Sequence, residues 1–167
     1  MIAHLAYLWY VLRHKWFVFV ECCKLGIPWL GVIHDLSKFR PSEWVPYMHH
    51  FYNTDGSKHQ RDKTGKGYVR TLDMGDAAFD TAVTLHYKRN KHHWQWYLLP
   101  ANVGGIEILS MPERYCREML ADWHAASWAQ GYQGEIKSWY EHTKDNMQLH
   151  PETRRWIEEQ LALEVEA

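Results

Sequence analysis

The chain has 167 residues, 46% of them apolar, and a formal charge of −1 with histidine counted neutral. That length suits one domain with a substantial core and is short for two. The charge excludes the global basic field that holds duplex nucleic acid or an anionic membrane surface, so neither partner is expected from composition. Twelve His and ten Trp are both in excess. Abundant Trp commonly reflects an aromatic core, so the histidines are the more informative half. Cys22, Cys23 and Cys116 are odd in number and two are adjacent, which is no disulfide framework and fits a reducing, cytoplasmic setting.

In chain order, the first ten residues are apolar apart from His4. Arg13-His14-Lys15 interrupt the run and Glu21 and Lys24 follow, so the segment reads as a buried helix and not as a signal sequence or membrane span. Residues 2–24 lack Gly and Pro, and Leu5, Leu8, Leu12, Trp16 and Phe19 recur at spacings of three and four, predicting one long helix ended by Gly26. Pro28 sits in the first turn of a second helix that carries Trp29, Ile33 and a His34-Asp35 pair and is closed by Arg40-Pro41. A third helix spans about Ser42 to Tyr52. Residues 53–68 hold Gly56, Gly65 and Gly67 without apolar periodicity and read as a mobile loop. Helix resumes near Met74 and runs through Phe79, Val83 and His86 to about Asn90. The conformation of residues 91–97 is left open. Ser110-Met111-Pro112-Glu113 has the form of a capping box, opening a helix that runs to Gly131 with Asp122 inside it. Amphipathic helices over about Glu135–Met147 and Pro151–Glu164 complete the chain. No stretch alternates like a strand, so the expected fold is an all-α bundle of six or seven helices, a single domain over residues 1–167.

Val32-Ile33-His34-Asp35-Leu36-Ser37-Lys38-Phe39 is the segment richest in chemistry. On a continuous helix His34 and Lys38 lie nearly over one another and Asp35 points to the side, so imidazole, carboxylate and ammonium can share one groove. His14, His86, His92-His93 and Asp122 are the other candidates. Each has an ordinary reading as well. His14 can be a half-buried helix histidine, His86 a favourable cation at a helix C-terminus ahead of Lys88, Arg89 and Lys91, and His92-His93 aromatic packing beside Trp94. Asp122 can pair with Arg117, although mid-helix Asp has poor propensity. One shared metal site accounts for all of them together. His49, His50, His59, His124, His142 and His150 are assigned to surfaces or caps.

The order His14, His34-Asp35, Asp122 resembles the HD-domain superfamily of metal-dependent phosphohydrolases, in which a His, a His-Asp pair and a later Asp on separate helices meet at one metal. The resemblance spans His14 to Asp122. In two-metal members further histidines fall between the pair and the last Asp, an arrangement that His86, His92 and His93 resemble. His34-Asp35-Leu36-Ser37-Lys38 also resembles the His-Asp-x-x-Lys variant of cyclic-dinucleotide phosphodiesterases, although their Gly-Tyr-Pro segment is missing here. The chain as a whole is similar to small bacterial and phage proteins of unassigned activity that share the His-Asp-x-Ser-Lys, His-His-Trp and Glu-Met-x-x-Asp-Trp segments.

The resemblance implies an HD-like helical bundle with His14, His34, Asp35 and Asp122 approaching one point from three helices. A second ion would use Asp35 as a bridge, with His86 and one or both of His92 and His93. The ions would be one or two of Mn, Fe, Co, Ni, Mg or Zn. The implied activity is hydrolysis of a phosphorylated small molecule, a nucleotide or cyclic oligonucleotide, by a metal-activated hydroxide, with Asp35 and Lys38 catalytic. Lys38, Lys88, Arg89, Lys91, Arg114 and Arg117 could hold phosphate, and Trp94, with Trp96 and Tyr97, could stack a base. Two alternatives stay open: an HD-type di-iron oxygenase, which uses a similar ligand set, and a non-catalytic metal-containing binding protein.

Overall fold

The computed structural model describes residues 1–59, 76–129 and 136–166, with side chains described to residue 162. Among these residues the protein is all-α, with seven α-helices: α1 (Ile2–Lys24), α2 (Pro28–Ile33), α3 (Pro41–Phe51), α4 (Ala77–Arg89), α5 (Glu113–Ala129), α6 (Ile136–Thr143) and α7 (Pro151–Glu166). Short 3₁₀ turns cover Leu36–Phe39, Trp94–Tyr97 and Lys144–Asn146. One two-stranded antiparallel ribbon was not expected. β1 (Leu98–Pro100) pairs with β2 (Ile106–Ile108), with Leu99 opposite Glu107. Three residues per strand are too few for alternation to show in sequence.

Helix α1 is the spine, packed along α5 on one side and α2 on another. It ends in a Schellman turn: Gly26 takes a φ of 74°, its amide bonds Cys23 O, and the Ile27 amide bonds Cys22 O at 2.8 Å. α2 folds back tightly. A Cβ on Gly31 would fall 2.8 Å from Phe19 Cα and 2.9 Å from Cys22 Cβ, so a side chain there would force the two helices apart. α3 packs on α4, which opens with Asp76 accepting a bond from the Phe79 amide.

The face that α1 buries differs from expectation. Tyr7, Val11, His14, Val18 and Cys22 point inward, while Leu5, Trp9, Leu12 and Trp16 are exposed. Both stripes have helical spacing. The inner one carries His14 midway along it, and packing against α5 and α2 decides which face is turned in.

Three further local expectations are corrected. The second helix stops at Ile33, so His34 (φ −48°, ψ 129°) and Asp35 (φ 54°, ψ 24°) form a break before the 3₁₀ turn. The Ser110–Glu113 capping box does not form: Ser110 Oγ donates to Glu152 and Glu113 pairs with Arg117. Residues 53–59 form a tight turn closed by a Tyr52–Lys58 bridge, with the Asn53 amide on Ser57 O, while the rest of the expected mobile loop lies outside the described residues. So does the expected helix end at Gly131.

Apolar packing is divided. The largest cluster joins α5, α6 and α7 through Met119, Leu120, Ile136, Tyr140, Ile157 and Leu161. A second joins α1 and α3 through Tyr7, Val11, Met48 and Tyr52. A third, with Val18, Cys22, Ala121 and Ala125, seals α1 against α5.

Candidate metal centre

Between these clusters lies a buried group of histidines and carboxylates. His14 comes from the middle of α1, His34 and Asp35 from the break after α2, His86 from the last turn of α4, His92 and His93 from the turn that follows, and Asp122 from α5. The seven candidate ligands read from the sequence are thus brought together. His34 Nε2 lies 3.6 Å from Asp122 Oδ1 and 3.3 Å from Asp35 Oδ2, and His14 Nε2 lies 3.0 Å from Asp122 Oδ1. On the other side, Asp35 Oδ1 is 3.4 Å from both His86 Nε2 and His92 Nε2, and His93 Nε2 is 2.8 Å from His86 Nε2.

These spacings suit a cation. Ligand atoms about 2.0–2.2 Å from one ion, at tetrahedral to octahedral angles, stand about 3–3.5 Å apart. His14 Nε2, His34 Nε2, His92 Nε2 and both Asp35 oxygens are buried and make no aligned hydrogen bond within the protein. His14 Nε2 and Asp122 are close but badly oriented for one. A buried polar atom left that way costs about 1–3 kcal/mol, and of these five Asp35 Oδ2 alone is ion-paired to Lys38, so the cluster suits a charged guest. Three overlapping sets each bring their ligand atoms within 4.8 Å of one another: Asp35, His86, His92 and His93; His14, His34 and Asp35; and His34, His92 and Asp122. The buried groups could hold a metal ion.

The backbone at Asp35 makes this possible. It is the only non-glycine residue with positive φ among those described, a conformation costing on the order of 1 kcal/mol or more that persists where surroundings over-determine it. On an uninterrupted helix the His-Asp pair would diverge by about 100°. The left-handed turn instead aims both side chains inward, and the Lys38 amide closes it on Asp35 O at 2.9 Å. Lys38 Nζ then reaches Asp35 Oδ2 at 2.6 Å.

Two buried glutamates that sequence reasoning missed hold the rings. Glu118 Oε1 accepts from His34 Nδ1 at 3.0 Å and from His92 Nδ1 at 3.2 Å. Glu43 Oε2 accepts from His86 Nδ1 at 2.9 Å and from Ser37 Oγ at 2.9 Å, while Arg89 grips its other oxygen at 2.6 Å. A carboxylate on Nδ1 leaves the Nε2 lone pair directed at the centre, the usual support of a metal-binding histidine. Glu118 stands one turn before Asp122, so the Glu-Met-x-x-Asp spacing placed it on the same face. Glu43 gave no such signal, because an acid in a first helical turn is ordinary.

Electrostatics follow from burial and charge together. Burial alone would raise the Asp35 carboxyl, but His34, Lys38 and His86 hold it well below the usual carboxylate range. Asp122 is likewise held down against burial by His14 and His34. Burial lowers His14, His86 and His93, keeping them neutral and able to ligate. His34 goes the other way: burial opposes its proton, yet Asp35, Asp122 and Glu118 together raise it well above the ordinary value. The carboxylates that draw a proton to His34 would equally draw a metal cation.

Of the residues expected to hold substrate, Lys38 alone makes a described contact with this cluster. Lys88 is exposed on α4. Arg89 is turned onto Glu43 and Ser42. Lys91 lies over the Trp96 and Tyr115 rings, and Arg114 over Tyr115. Arg117 bonds Glu113 and Leu25 O, so the Arg117–Asp122 pairing does not occur. Tyr97 is buried in the α5–α7 core, which removes it from base stacking, and Trp94 packs partly buried against that core.

An all-α bundle with a buried His/Asp cluster able to hold metal is the class that fold and site define. Residues 3–163 match a family of unknown function (DUF5662), and the chain belongs to it. No curated protein and no solved structure matches the chain.

Proposed function

We propose that the protein is an HD-type metal-dependent phosphohydrolase acting on a phosphorylated small molecule, a nucleotide or cyclic nucleotide. The observation that carries this reading is the combination of seven converging ligands with an ammonium, Lys38 Nζ, 2.6 Å from the carboxylate at their centre. A bound divalent cation would activate water and offset phosphoryl charge. The protein's own groups do the rest. Asp35 spans the cluster, with Oδ2 toward His34 and Oδ1 toward His86 and His92, so it can serve two neighbouring ions. Glu43 and Glu118 fix the rings. Lys38, 14% exposed and charged, meets the phosphate as charge develops on it.

Elemental analysis of the purified protein, followed by a screen of nucleotides and cyclic dinucleotides with Mn²⁺, Mg²⁺, Co²⁺ and Fe²⁺, tests the reading. Phosphate release should continue without O₂ and with Mg²⁺. Lys38→Met should keep metal content while phosphoester turnover falls by about 10²–10³, comparable to losing one preorganised charge-stabilising donor. Turnover that requires iron and consumes O₂ would transfer the site to oxygenase chemistry. Stoichiometric metal with no turnover of any substrate would make it a binding protein.

A further inference from the structure

The outer face of α1 is apolar where a soluble surface should be polar. Leu5, Trp9, Leu12 and Trp16, spaced at four, three and four residues, are 61, 70, 47 and 61% exposed. Next to them α2, held against α1 at Gly31, exposes Trp29 (69%), Val32 and Ile33, and the following 3₁₀ turn exposes Leu36 and Phe39. Exposed apolar side chains gathered on two helices packed side by side mark an interaction surface, unlike single exposed hydrophobics, which are common.

Charge identifies the occupant. Residues 1–42 contain two acids, Glu21 and Asp35, both buried and paired with Lys24 and Lys38. Arg13, Lys15 and Arg40 have no carboxylate in ion-pair contact among the described residues. Arg13 Nη2 contacts Trp128 O, and Lys15, whose pKa burial lowers, bonds the carbonyls of Val32 and His34. Asp55, an exposed acid, sits in the turn whose Gly56 abuts Ile2, at the N-terminal end of the stripe. The net charge of −1 therefore conceals a cationic, tryptophan-bearing face. Indole rings favour the lipid headgroup boundary and Lys/Arg favour anionic headgroups. No described helix is long and apolar enough to cross a membrane, so the face would lie on the surface and not span it. A second copy fits less well, because a two-fold contact sets the same patch, and the same uncompensated cations, against itself.

We propose that the α1–α2 face docks the protein onto an anionic lipid surface. The proposal is independent of the metal centre, since His14 points inward from the opposite side of α1.

Flotation of the full chain with vesicles tests it, comparing pure phosphatidylcholine with phosphatidylcholine containing phosphatidylglycerol. The protein should float with the anionic vesicles, weakly or not at all with the zwitterionic ones, and less as salt is raised. Trp9→Glu/Trp16→Glu, at exposed positions, should keep the circular dichroism and metal content of the parent and lose binding by roughly tenfold or more. Arg13→Glu/Arg40→Glu should weaken anionic binding alone, and serves if the first variant fails to fold. Equal binding to both vesicle types, no binding to either, or binding insensitive to these substitutions would overturn the proposal. So would a concentration-dependent dimer that Trp9→Glu/Trp16→Glu converts to monomer without vesicle binding.

Discussion

Around Ile157 the interior is apolar and tightly filled, with Met119, Leu120, Tyr140 and Leu161 joining α5, α6 and α7. Around Asp35 a largely buried set of imidazoles, carboxylates and an ammonium joins α1, α4 and α5 through paired charge. The first region gains stability from removing area from water, about 25 cal/mol per Å² of apolar surface. The second gives up that term and accepts desolvated charge that only good pairing repays. Apolar packing and the candidate metal centre are thus separated in space, with α5 shared: Met119 and Leu120 face the apolar cluster while Glu118 and Asp122 face the other.

Substitutions on each side should behave differently. The largest effect is expected for Asp35→Ala, which removes the carboxylate common to both halves of the ligand set. Bound metal should fall to near zero by elemental analysis, and turnover should be lost. A variant with full metal occupancy and normal turnover would rule Asp35 out as a ligand.

Ile157→Ala should cost about 2–5 kcal/mol in chemical denaturation through lost burial and cavity formation. Metal stoichiometry should be unchanged under native conditions. If metal binding weakened in parallel, the two regions would be one cooperative unit with respect to the site, and the separation drawn here would fail.

Glu118→Gln keeps the shape and removes the charge that orients His34 and His92. Metal affinity should drop by roughly 10–100-fold, measured by competition with a chelator. An unchanged affinity would mean that packing alone holds the two rings.

Arg117→Ala should have the smallest effect, up to about 1 kcal/mol on stability from a partly exposed pair with Glu113, and none on metal content. A selective loss of phosphoester turnover would instead return Arg117 to the substrate site, against its present placement on Glu113 and Leu25 O.

The sequence by itself determined the helical class and the candidate ligand types. Those follow from short-range spacing: period-3.6 apolar residues define helices, and His14, His34-Asp35, His86, His92-His93 and Asp122 are chemically conspicuous wherever they fall. It could not choose between the two stripes of α1, because Leu5, Leu12 and Trp16 have the same period as Tyr7, Val11 and Val18, and only the partners α5 and α2 settle which is covered. Nor could it place the helix break at Asp35, since a left-handed Asp carries only a weak local signature and is held by contacts from α4 and the turn after it. Glu43 and Glu118 became legible as ring-holding residues only when folding set them beside histidines 43 and 84 positions away. Trp94, Tyr97, Arg89 and Arg117 ran the other way: their chemistry suited a nucleotide, and tertiary packing used it for the core and for structural ion pairs. Spacing along a chain fixes what a side chain can do, and long-range burial decides which of those possibilities is left to it.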